Sequence, residues 1–196
     1  MATLAMLAFA ANSLLCRMAL VETAIDPASF TAWRILSGAA TLLIIVAATQ
    51  RSFPKRGNWL MALSLFVYAA AFSFAYITMS AGAGALVLFG SVQITMLVWG
   101  VLKGERLTAP QWLGFLLAVT GLIMLLLPNS AVPALGSALL MALAGVAWGA
   151  YSIMGKTAGA PTDATAGNFL RAAPMAILLL TRDRLKPRAL DYARHQ

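Results

Sequence analysis

Polar residues punctuate this chain rather than alternate with apolar ones. No charged side chain stands between Gly57 and Leu102, and none between Leu107 and Gly155. Each run holds two apolar stretches of about 20 residues, the length that crosses a bilayer as a helix. Ser80, Gly82 and Gly84 break the first run, and Pro128, Asn129, Pro133 and Gly136 break the second. Two further stretches precede these. The pattern therefore predicts an all-α, polytopic bundle with spans at residues 3–20, 30–48, 59–79, 85–102, 110–127 and 135–155. A seventh stretch, 164–181, is weaker. Its leucines, isoleucine and phenylalanine contribute about −3 kcal/mol to insertion, while a central arginine, here Arg171, costs about 2.5 to 3.5 kcal/mol. Asn168 and Pro174 oppose insertion further. This segment is expected to be helical yet to insert inefficiently, leaving the tail after Thr181 largely cytoplasmic.

Composition agrees with a lipid environment. Hydrophobic residues make up 61% of the chain and charged residues 10%, against roughly 45–50% and about 25% in soluble domains. No basic segment precedes the first apolar stretch, so it reads as a retained span, not a cleaved signal. The single cysteine, Cys16, permits no intrachain disulfide and reads as packing.

The cations fall in alternate loops: Arg51, Lys55 and Arg56, then Lys103 and Arg106, then Lys156. The intervening loops carry only Glu22 and Asp26. By the positive-inside rule the amino terminus is cytoplasmic. Topology and the basic tail account for most of the net charge of +8, so it requires no nucleic-acid partner. Enzyme classes fare poorly. The only histidine is His195, and the carboxylates lie in loops or the tail, so no metal cluster, catalytic set or cofactor is expected.

A repeat runs through this pattern. FAANSLLCRMA, Phe9 to Ala19, matches WGAYSIMGKTA, Trp148 to Ala158, and PASFTAWRIL, Pro27 to Leu36, matches ATAGNFLRAA, Ala164 to Ala173. The copies are five helices apart, so the second is upside down relative to the first. Inverted repeats of this kind belong to secondary transporters, whose central site faces alternate sides as one repeat rocks against the other.

GERLTAPQWLGFLLAVTGLIMLLLP, Gly104 to Pro128, together with Arg34 and the WG…K pattern of the sixth span, resembles the EamA-type transporters of the drug/metabolite transporter superfamily. The resemblance implies ten helices in two inverted five-helix repeats, and export of small organic metabolites or drugs across the bacterial inner membrane. It implies a first repeat over 1–128, a partial second repeat over 129–181 and a basic tail over 182–196. The second repeat is thus incomplete, and truncation is expected to impair transport. Two rivals remain: a short exporter subunit acting as a homodimer, and a non-functional fragment. One departure is local: Ser91-Val92-Gln93 stands where many relatives carry a proline.

The candidate substrate pathway consists of polar and aromatic residues at membrane depth: Asn12, Ser13, Arg34, Tyr76, Gln93, Trp148, Tyr151 and Ser152. The repeat aligns Asn12 with Tyr151 and Ser13 with Ser152. Asn12, Tyr76, Gln93 and Trp148 are expected to line one cavity, against the alternative of ordinary interhelical hydrogen bonding. Tyr68, Phe72 and Tyr76 share a helix face and read as packing. Arg34 is either a structural residue snorkelling from a helix end or a contact for an anionic substrate or gate. Structural roles are assigned to Glu105, to Gly114 and Gly121 as a close-approach face, and to Arg171. Thr108 and Gln111 form a capping box.

Overall fold

The computed structural model describes residues 2–50, 53–126 and 134–194. Seven helices follow one another: α1 (Ala2–Glu22), α2 (Pro27–Gln50), α3 (Trp59–Ala75), α4 (Ala81–Leu102), α5 (Ala109–Leu126), α6 (Leu135–Gly155) and α7 (Pro161–Arg194). The residues between them stop them in recognisable ways. Asp26 caps α2, its Oδ1 accepting from Ser29 N–H at 2.7 Å while Pro27 fills the first turn. Asn58 caps α3 by accepting from Met61 N–H at 2.8 Å. At α5, Gln111 Oε1 accepts from both the N–H and the hydroxyl of Thr108, at 2.8 and 3.0 Å.

α2, α3, α6 and α7 form the centre, with α3 packed on α6 and α2 on α7. α4 lies against α6, while α1 and α5 stand on the flanks. α2, α4, α6 and the Pro161–Arg182 part of α7 are long and apolar enough to cross a membrane, and α3 is a shorter apolar helix. The chain is an all-α polytopic bundle.

Hydrogen bonds sort the loops onto two rims. Arg56 Nη1 donates to Ala158 O at 3.3 Å, joining the α2–α3 loop to the α6–α7 loop. On the opposite rim Arg17, near the end of α1, donates to Tyr76 O at 2.9 Å, and the Thr78 and Ser137 hydroxyls are paired. Consecutive helices therefore run in alternating directions.

Two glycine pairs behave differently. Gly145 and Gly149 bring α6 against α4: a Cβ at Gly145 would lie 2.6 Å from Leu88 O, and one at Gly149 2.8 Å from Thr95 Cβ. Gly114 and Gly121 were expected to serve close approach too, but among the described residues nothing lies within 4 Å of a Cβ at either. The physical reason is position: α5 is peripheral and touches its neighbour α4 only lightly.

The seventh segment is helical, and its expected inefficiency of insertion rested on the cost of a central arginine, which a neighbouring acceptor would shelter. The shelter is present and comes from the α2–α3 loop: Arg171 Nη1 donates to Arg56 O at 3.3 Å and to Gly167 O at 2.9 Å. Asp163, 5% exposed, accepts from the backbone N–H groups of Lys55 and Arg56 at 3.1 and 3.0 Å. Gly167 lies so close beneath Arg56 O that no side chain fits there. These contacts fasten the start of α7 to a loop more than 100 residues earlier.

Candidate functional site

A cavity of about 430 Å³ opens among α1, α3, α6 and α7. α1 contributes Ala8, Phe9 and Asn12, and α3 contributes Leu65 and Tyr68. α6 adds Trp148 and Tyr151, and α7 adds Thr165 and Phe169. The walls are an aromatic mosaic. Trp148 stacks on Tyr151 at 5.5 Å and 17°, approaches Tyr68 at 4.7 Å, and meets Phe9 edge-on at 6.4 Å. Such rings offer flat apolar surface, with hydroxyls, an indole N–H and an amide as polar handles.

Depth follows from helix rise. At about 1.5 Å per residue, Tyr151 and Thr165 lie about 6 Å in from the rim that carries loops 53–58 and 156–160, and Asn12 about 15 Å in. Beyond Asn12 the bundle closes. Phe72 and Tyr76 are fully buried with ring centroids 4.7 Å apart, and Ile35, Met79 and Cys16 pack in the same cluster. The cavity thus belongs to the half nearest the basic loops, and a dense layer seals it from the other half.

Arg34 stands in that layer. Its guanidinium turns into the bundle, 5.0 Å from the Phe72 centroid, 5.6 Å from Phe30 and 5.9 Å from Tyr68. Nη2 donates to Asn12 Oδ1 at 3.4 Å, and Nη1 is buried without a hydrogen-bond partner among the described residues. A second polar chain leaves the cavity on its other side. Asn168, fully buried, donates from Nδ2 to Tyr151 Oη at 3.3 Å and accepts at Oδ1 from Asn58 N–H at 3.0 Å.

Of the residues picked from sequence, Asn12, Trp148 and Tyr151 share this cavity, and Arg34 touches it through Asn12 and Tyr68. The others lie elsewhere. Tyr76 sits under the α3–α4 turn, its ring against Gly84 and its hydroxyl donating to Ala81 O at 3.2 Å. Gln93 lines a separate groove between α4 and α5 with Phe89 and Phe115. It lies outside the cavity, to whose lining α4 contributes no residue. Ser13 is buried in the packed layer, and Ser152 donates to Trp148 O at 2.8 Å within its own helix. Glu105 folds over Gly100 at the end of α4. Sequence reasoning missed Phe9, Thr165 and Phe169 as wall residues, and counted Asn168 only as an obstacle to insertion. Its polarity in an apolar stretch was the available signal.

The model of the EamA-like transporter family matches residues 1–127. The chain belongs to the EamA-like transporter family. It is a multi-pass membrane protein of a family of transporters, not of enzymes. This EamA-like chain is also 57% identical over 178 residues to a Pseudomonas aeruginosa protein that carries no functional description. The match covers 90% of the chain but 62% of that relative, so the chain spans less than two thirds of the relative's length. No solved structure matches it.

Proposed function

We propose that this chain carries the substrate site of an exporter of small organic molecules in the bacterial inner membrane, with the cavity between α1, α3, α6 and α7 as that site. One observation carries the reading: a pocket lined by both copies of the sequence repeat, α1 from one and α6 and α7 from the other, is blocked at one end by a packed layer. A transporter needs a central site open to one side at a time, built where two related halves meet. The basic loops put the amino terminus and the cavity's near rim in the cytoplasm. The chain then stands in its substrate-loading state, as an exporter requires. Asn12 and Tyr151 occupy matching places in the two copies, so rocking one copy against the other would present related groups to both sides. The chain alone is expected to transport poorly, because alternation needs two comparable halves around the site.

The test is efflux of a panel of small aromatic compounds from cells expressing either the 196-residue chain or a form extended to the length of its relative. Trp148→Ala should abolish efflux, while Tyr76→Phe and Gln93→Ala, both outside the cavity, should leave it within about twofold, the range of a lost fraction of a kcal/mol. Loss of efflux in Gln93→Ala with retention in Trp148→Ala would move the site to the α4–α5 groove.

A further inference from the structure

We infer that the cavity takes organic anions: molecules with a carboxylate directed at Asn12 and Arg34 and a flat apolar body among Tyr68, Trp148 and Phe169. This rests on the transport reading of the same cavity and adds the chemistry of what it carries.

The first argument is charge. Arg34 lies about 10 Å along α2 from Pro27, well inside the apolar layer. A cation at that depth costs several kcal/mol unless it is paired or hydrated. A guanidinium has five N–H donors and no acceptor. Here one donor meets Asn12 Oδ1 at 3.4 Å, and buried Nη1 meets no acceptor among the described residues. The three surrounding rings attract the cation through their faces but bring no counter-charge. Among the residues whose side chains are described, the carboxylates Glu22, Asp26, Glu105 and Asp163 lie at helix ends or in loops, and Asp163 is engaged by two backbone amides of the α2–α3 loop. A half-buried cation with one fully buried nitrogen thus stands behind the wall of a cavity, with capacity left over.

The second argument is polarity. Because a guanidinium only donates, Asn12 must turn its oxygen toward Arg34, which leaves its NH2 as the free group. Asn168 is fixed likewise. Its oxygen takes the Asn58 N–H, so its NH2 points at the Tyr151 oxygen, whose own proton is then free to donate. Both polar groups shared by the two repeat copies therefore have their acceptor engaged from behind and their donor to spare. A wall that offers donors backed by a cation selects an acceptor-rich, negatively charged ligand. It disfavours an ammonium, which would meet donors and like charge.

Equilibrium dialysis on the full chain in phosphatidylcholine nanodiscs tests this, with phenylacetate, its isostere phenylacetamide and phenylethylammonium as probes. Phenylacetate should bind at least about tenfold more tightly than the amide, as one charge-assisted hydrogen bond supplies, and the ammonium should bind weakest. Arg34→Gln should remove the preference for the acid while leaving amide binding in place. Asn12→Asp, which gives Arg34 a built-in partner and so does not depend on tolerating an uncharged Arg34 site, should remove it too. Equal binding of acid and amide, lost in Trp148→Ala, would overturn the anion inference and leave the transport site standing. Binding of none of the probes would overturn both. A preference for the acid that survives Arg34→Gln would place the anion elsewhere and defeat the inference. Displacement of phenylacetate by phosphatidylglycerol added to the disc would assign the cation to a lipid headgroup and equally defeat it.

Discussion

Gly145→Ala and Gly114→Ala form a matched pair. Both glycines are interior to apolar helices, so replacing either with alanine gains the same backbone term, about 0.5 to 1 kcal/mol. The difference between the two variants isolates packing. At Gly145 the new Cβ would lie 2.5 Å from Ser91 Cβ and 2.6 Å from Leu88 O. Carbon atoms rest about 3.5 to 4.0 Å apart, so α4 and α6 must separate by about 1 Å, a gap that forfeits up to about half of each contact along the seam. Overpacking of this size costs about 1 to 3 kcal/mol. At Gly114 nothing lies within 4 Å and the packing term vanishes. Gly145→Ala should therefore be neutral to about 2 kcal/mol destabilised, and Gly114→Ala slightly stabilised, a separation of about 1 to 3 kcal/mol. Reversible unfolding in mixed detergent micelles measures it directly. Equal stabilities for the two variants would refute the claim that α6, and not α5, carries the close helix contact.

Asp163→Asn keeps one acceptor but turns an NH2 toward a second amide, so it should cost about 1.5 to 3 kcal/mol. Trypsin should then cut sooner after Lys55 or Arg56, and an unchanged cleavage rate would show that the carboxylate does not hold the loop. At the α2 N-cap, burial alone would raise the Asp26 carboxyl, but hydrogen bonds from Ser29 and from the N–H groups of Asp26 and Ala28 outweigh it and leave the pKa below its usual value. A carboxyl lowered on folding stabilises above its unfolded value, about 3.9, and that contribution fades as pH falls through the folded value. The melting midpoint should therefore carry no Asp26 contribution to its pH dependence between neutrality and about pH 5. Below about pH 4 the original chain should lose more of its midpoint than Asp26→Ala, and parallel acid losses in the two would remove Asp26 as the cause. With Arg171 sheltered by Arg56 O, α7 should insert, so alkaline phosphatase fused after Gln196 should be active, and Gly167→Val, which displaces that loop, should silence it. A silent fusion in the unaltered chain would mean that the tail cations overrule the packing.

The spans were legible because charge-free runs and Ser, Gly, Pro and Asn breaks locate helices in lipid with little ambiguity. Depth was legible for the same reason, which is why Asn12, Trp148 and Tyr151 could be placed at the level where the cavity lies. Direction around the helix was not. In a soluble protein polar residues mark the outward face, but a helix apolar on all sides gives no such mark, so Gln93 and Tyr76 could be placed at the right level and still miss the cavity. The Gly114 and Gly121 spacing failed similarly: it states that one face is smooth and says nothing of whether a neighbour uses it. Asp163 and Asn168 act across more than 100 residues, on backbone amides that have no sequence signature.

The fastening of the α2–α3 loop to α7 also sets a clock. Asp163 is made 108 residues after Lys55, which at about 5 to 20 residues per second is roughly 5 to 20 s of synthesis. For that interval α2 and α3 are already made while their connecting loop has no partner and the α7 wall of the cavity, Thr165 and Phe169, does not exist. The loop that will later anchor the α7 wall of the binding site is therefore left unfastened through that interval, and a protease or membrane chaperone that samples it can tell a finished bundle from an unfinished one.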